Sequence, residues 1–153
     1  MNILEALASG PKIFRGEGVN EEQERFIGEM TVQVLEGGRA ALLCYVAKLS
    51  SRQVVHTEST LLGTGPNGKL CLWPVMSEIP AILPHVEIAV HAVVGGGMKS
   101  IFSSGPRDDP STFREEIAIQ INPDGSLVYA HAWGLPGSAF EDRSSCLMVP
   151  TVV

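Results

Sequence analysis

Along most of the chain the apolar positions recur every second residue. In 25–36, Met30, Val32 and Val34 alternate with Thr31 and Gln33; in 112–122, Ile117, Ile119 and Ile121 alternate with Ala118 and Gln120. A period of two marks a strand with one face turned to a core. A helical period is found only at the start, where Ile3, Leu4 and Leu7 give NILEALA (2–8) an apolar edge and Ser9-Gly10-Pro11 stops it. Alternation and turn chemistry together predict about ten strands: 12–17, 25–36, 39–49, 53–62, 69–75, 86–94, 98–103, 112–122, 126–134 and 139–149. Between them lie Glu36-Gly37-Gly38, Pro66-Asn67-Gly68 and Asn122-Pro123-Asp124-Gly125, the last read as a type I turn closed by glycine. The segment MSEIPAILPH (76–85) holds two prolines and reads as a loop, with room for one helical turn at Ser77-Glu78.

Sequential strands joined by short turns form a meander. Left flat, ten strands would expose two long edges able to pair with other chains. Closing the sheet removes both, so the expected architecture is all-β: an antiparallel up-and-down barrel with a short N-terminal helix, 1–153 being a single domain. A barrel of this size tends to enclose a ligand cavity. A two-sheet sandwich with a dry core is the competing arrangement.

Composition narrows the partners. Seventeen acidic residues against 11 basic give a formal charge of −6, and no Lys/Arg cluster occurs. Nucleic-acid binding needs concentrated positive charge, as does attachment to anionic lipid, so neither partner is expected. Cys44, Cys71 and Cys146 are far apart and form no CxxC. They read as core thiols in a reducing compartment. MNILEALASGPK lacks a basic stretch followed by a long apolar run, so a cytoplasmic location is expected.

Candidate chemistry concentrates in two strands. In VVHTESTLLGTGPNGKLCLW (54–73), His56 and Glu58 stand two apart and share a face with Val54, Thr60 and Leu62. Either the pair faces water, or it converges on a ligand's polar group inside a cavity, Glu58 orienting and charging His56. In the ninth strand Tyr129, His131 and Trp133 share a face opposite Val128, Ala130 and Ala132. Large amphipathic groups in that arrangement suit a cavity wall or an outer face buried in a homodimer. Trp73 and Met76 suit a rim or lid. His56 and Glu58 offer two metal ligands where zinc needs three or four, and His85, His91 and His131 show no metal spacing, so no metal is expected. No GxSxG occurs, and GGGM is followed by neither a helix nor a P-loop lysine, which removes support for a nucleophilic serine or a phosphate cradle.

Three stretches carry a resemblance: FRGEG (14–18), LLCYVAKLSSRQVVHTESTLL (42–62) and INPDGSLVYAHAWGLPGSAFEDRSSCLM. They resemble the calycin group of lipocalins and fatty-acid-binding proteins, nearest to the nitrobindin-type bacterial barrels. The resemblance implies a cavity reached from one barrel end, with His56 and Glu58 facing inward. It departs in three places. Phe14 stands for the usual Trp, the Tyr-Pro after the glycines is missing, and the last strand, AFEDRSSCLMV, has no His to ligate haem. Haem is therefore not expected, His131 being the only nearby substitute. The expected function is binding of a small apolar or amphipathic molecule, with His56 and Glu58 as anchors and Tyr129, His131, Trp133 and Trp73 as aromatic surface. The alternative is an enzyme using His56 and Glu58 for acid/base work.

Overall fold

The computed structural model describes residues 1–152. One helix, α1 (Ile3–Ser9), precedes ten strands: β1 (Ile13–Val19), β2 (Arg25–Leu35), β3 (Ala40–Lys48), β4 (Val54–Thr64), β5 (Leu70–Met76), β6 (His85–Val93), β7 (Gly97–Ser103), β8 (Arg114–Ile121), β9 (Leu127–Gly134) and β10 (Glu141–Pro150). Every strand pairs antiparallel with its neighbours in sequence, and β10 returns to β1, from Phe14 opposite Pro150 to Val19 opposite Ser145. The sheet is a closed barrel, so the sandwich alternative falls. Each predicted strand bound lies within two residues of the observed one.

One end of the barrel is solid. Ile3, Leu4 and Leu7 of α1 are buried among Phe14, Met30, Val32, Leu43, Leu62, Leu72, Phe102, Ile117, Ile119 and Leu127. The helix holds its place although it is short. The Asn2 side chain accepts from the Glu5 amide at 2.9 Å, and the Glu5 carboxylate accepts from the Asn2 amide at 2.8 Å. This reciprocal cap satisfies two N–H groups that a helix start leaves unpaired. At the other terminus Lys12 Nζ donates to the carbonyls of Leu7, Ala8 and Gly10.

Where two walls come close, glycine makes room. A Cβ on Gly28 of β2 would stand 2.6 Å from Cys146 Sγ and 3.1 Å from the Tyr45 ring and hydroxyl. The Asn122–Gly125 turn forms as expected: the Gly125 amide donates to the Asn122 carbonyl at 3.0 Å, with Gly125 at φ +85°. Two expectations need correction. Cys44 is half-buried on the outer face of β3, with its sulfur 4.0 Å from Ser59 Oγ, whereas Cys71 and Cys146 are buried. Val54 does not share the inward face of His56, because the β3–β4 register slips between Ala47 and Lys48 and leaves Val54 exposed.

Candidate functional site

The end opposite α1 is hollow. A cavity of about 350 Å³ opens there, walled by Phe26, Tyr45, Ala47, Val55, Met76, Ile79, Phe113, Trp133 and Leu135, with Asn20, Glu21, His56, His131, Glu78, Glu115, Arg143 and Ser144 as its polar lining. Two β-bulges shape it. The slip in β3–β4 lets the consecutive residues Val55 and His56 both reach the cavity. A second slip, between Asp142 and Ser144 against β9, does the same for Arg143 and Ser144. A bulge places two neighbouring residues where regular alternation would allow one.

Beneath the cavity floor lies Glu58, fully buried on β4. Its Oε1 accepts from His56 Nε2 at 3.1 Å and His131 Nε2 at 2.9 Å. Its Oε2 accepts from Thr60 Oγ1 at 2.7 Å and from the Tyr129 hydroxyl. Four donors satisfy one carboxylate, which is what an ionised group needs to survive burial. β4 and β9 are five strands apart whichever way the barrel is followed. The Glu58 contacts to Tyr129 and His131 therefore bridge opposite walls. Tyr45, opposite Glu58 in the β3–β4 register, packs its ring 4.9 Å from that of Tyr129 and closes the floor beside it.

His56 stands between two carboxylates. Its Nδ1 faces Glu78 at 2.8 Å while its Nε2 faces Glu58. Ionised carboxylates only accept, so both ring nitrogens donate and the ring is an imidazolium. Burial alone would lower its pKa, but hydrogen bonds and charge from Glu58 and Glu78 outweigh that and raise it from 6.5 to about 9. Burial likewise pushes Glu58 upward, and His131, His56 and Tyr129 overturn this, holding the carboxyl well below its ordinary range. Burial, then the Glu58 charge, raises the Tyr129 phenol far above its usual value. His131 Nδ1 is 3.3 Å from Ser144 Oγ. Beside the floor a second buried pair joins β6 to β8: His85 Nδ1 donates to the Leu83 carbonyl at 2.6 Å, and its Nε2 meets Glu115 at 2.9 Å.

The expected site residues separate into layers. His56, His131 and Trp133 line the cavity; Glu58 and Tyr129 sit just below it. The ninth-strand trio faces inward, and Trp133 is held by Arg143, whose guanidinium lies 4.1 Å over its ring. Trp73 is elsewhere. On β5 the inward positions are Leu70, Leu72, Pro74 and Met76, so Trp73 faces outward, paired across with Leu61, and contributes nothing to the cavity. Met76 does line it. Sequence reading passed over Tyr45, Glu78, Arg143 and Ser144, and it placed Thr60 on the face of Glu58 without giving it a role. Tyr45 shares an alternating face with Leu43 and Ala47, so period two would have found it. Glu78 lies in a loop without a period, and Arg143 enters through a bulge.

No protein-family model matches the sequence, and no curated protein matches it. Among solved structures, the fold is similar to that of Rv2717c from M. tuberculosis, with a TM-score of 0.73 and 15% identity over 97% of each chain. The likeness concerns the fold alone, a closed antiparallel barrel of ten strands. Haem does not fit this cavity. β10 carries no His, and His131 Nε2 is engaged by Glu58 at 2.9 Å with the His56 ring centred 5.6 Å from its own, so that nitrogen has no open side for a haem iron.

Proposed function

We propose that the protein binds a small molecule with an apolar body and one polar end in the open half of the barrel. One observation carries the reading. The hollow end combines apolar and aromatic walls with two imidazoles fixed from beneath by a buried carboxylate. Such a mixture of extensive apolar surface and a few convergent polar groups characterises small-molecule sites, and about 350 Å³ lies at the small end of their range. The guest's body lies against Phe26, Phe113, Ile79, Leu135 and Trp133. Its polar end meets the edges of His56 and His131 beside Ser144. Glu58 acts as a brace for those rings, since its acceptor sites are already filled.

Native mass spectrometry of the purified protein should reveal a co-purifying guest. A thermal-shift screen of small amphipathic molecules should then find compounds that raise Tm. Trp133→Ala and His131→Ala should each weaken such binding about tenfold or more. No bound mass and no Tm response from a broad screen would refute the reading, as would responses identical in both variants and wild type.

A further inference from the structure

We infer that His56 Nε2, His131 Nε2 and Glu58 Oε1 together form a site for a divalent metal ion of the zinc class, with an open coordination position facing the cavity. This goes beyond the ligand reading and stands whether or not the cavity takes an organic guest. The three donor atoms come from opposite walls of the barrel and lie within 4.8 Å of one another. Glu58 Oε1 is 3.1 Å from one nitrogen and 2.9 Å from the other. A four-coordinate zinc bonded at about 2.0–2.1 Å holds its donors roughly 3.3 Å apart, so small side-chain adjustments admit the ion.

The surrounding contacts support the same conclusion. A ligating histidine usually donates its other ring N–H to a carboxylate or another oxygen, which fixes the tautomer and aims the free lone pair. Here His56 Nδ1 is engaged by Glu78 at 2.8 Å and His131 Nδ1 by Ser144 at 3.3 Å. The Glu58 carboxylate is oriented in turn by Thr60 and Tyr129 through Oε2, so that Oε1 passes to the ion once the two Nε2 protons it accepts are displaced. Two imidazoles and one carboxylate are a donor set of catalytic zinc sites, which keep a further position for water or substrate. His56 and His131 line the cavity while Glu58 lies below it, so that position opens upward.

Without the ion, protons bridge Glu58 to both rings. On binding, the metal takes the Nε2 lone pairs. The His56 Nε2 proton leaves to solvent, and His56 keeps its Nδ1 proton on Glu78. The His131 Nε2 proton moves to Nδ1, where Ser144 Oγ accepts it. Loading therefore releases acid.

The test uses full-length protein stripped with a chelator and titrated with Co²⁺, then Zn²⁺, with no organic ligand present. Wild type should bind one equivalent of Co²⁺ with the strong visible d–d bands of four- or five-coordination, and Zn²⁺ should bleach them. Paramagnetically shifted imidazole protons should count two histidine ligands. His56→Ala and His131→Ala should each weaken binding at least 100-fold, and Glu78→Gln about 10-fold to 100-fold. The inference fails if wild type shows no saturable uptake, only the faint spectrum of hydrated Co²⁺, or a thiolate charge-transfer band placing the ion at cysteine. It fails equally if the two alanine variants bind like wild type. Should those variants not fold, the wild-type spectrum and its histidine count decide the matter alone.

Discussion

At the residue scale, charge in the floor cluster ties stability to pH. His56 holds its proton more tightly folded than unfolded, so its contribution is complete below its unfolded value of 6.5 and is lost as pH rises through about 9. Glu58 behaves oppositely. Its pKa is depressed on folding, so its contribution is present above the unfolded value of 4.5 and is lost as pH falls below it. Unfolding free energy in the presence of chelator should therefore be greatest between these limits. From pH 6.5 to 9 it should fall by on the order of 3 kcal/mol, and urea melts of His56→Gln should lack most of that decline. A flat wild-type profile would mean that His56 is not charged in the native state. Alternation placed His56 and Glu58 on one face but left that face unassigned, because both faces of 53–62 mix apolar and polar residues, and only the family resemblance turned the pair inward. What decides the matter is Tyr129 and His131 reaching from the opposite wall, and no local pattern records a partner that far along the chain.

At the scale of elements, alternation was legible because the barrel has one inside and one outside, and side chains on a strand must choose between them. The strands were readable for that reason. Irregular pairing was less so. The slips that bring Val55 beside His56 and Arg143 beside Ser144 into the cavity interrupt the period and leave no mark in composition. Trp73 shows the related hazard: a large aromatic near a loop looks like a rim, but phase with Leu72 and Pro74 turns it outward. Gly28 is a position where an element depends on a missing side chain. Gly28→Ala should drive its methyl into Cys146 and Tyr45. The expected cost is about 1–3 kcal/mol, the range for an overfilled core, together with a shift of the Tyr45 ring visible in near-UV circular dichroism. An unchanged urea midpoint would show that β2 and β10 stand further apart than described.

At the scale of the whole molecule, stability and binding occupy opposite ends. The helix-plugged half is aliphatic and filled; the other half is hollow and carries nearly all the inward ionisable groups. Leu7→Ala should consequently destabilise the fold by about 2–5 kcal/mol, as for other large-to-small core changes, and leave the dissociation constants for Co²⁺ and for any cavity guest within about twofold of wild type. A matching loss of affinity would mean that the two halves act as one. Closure itself was foreseeable, since ten consecutive antiparallel strands leave few other ways to hide two edges. The brace across the lumen was not, because it depends on which strands end up facing each other. The wall is uneven in one further respect. β5 and β6 are paired only through Cys71 with Val86 and Leu72 with His85, and above that point the chain swings away through 77–84. Residues 77–84 cover this thin seam: Ile79 bridges back to Met76, the Leu83 carbonyl accepts from His85 Nδ1, and the Glu78 carboxylate ties the same segment to His56. A visitor competing for His56 would therefore also pull on the flap that covers the weakest part of the wall, so occupancy of the hollow and the hold on that flap are tied to one imidazole.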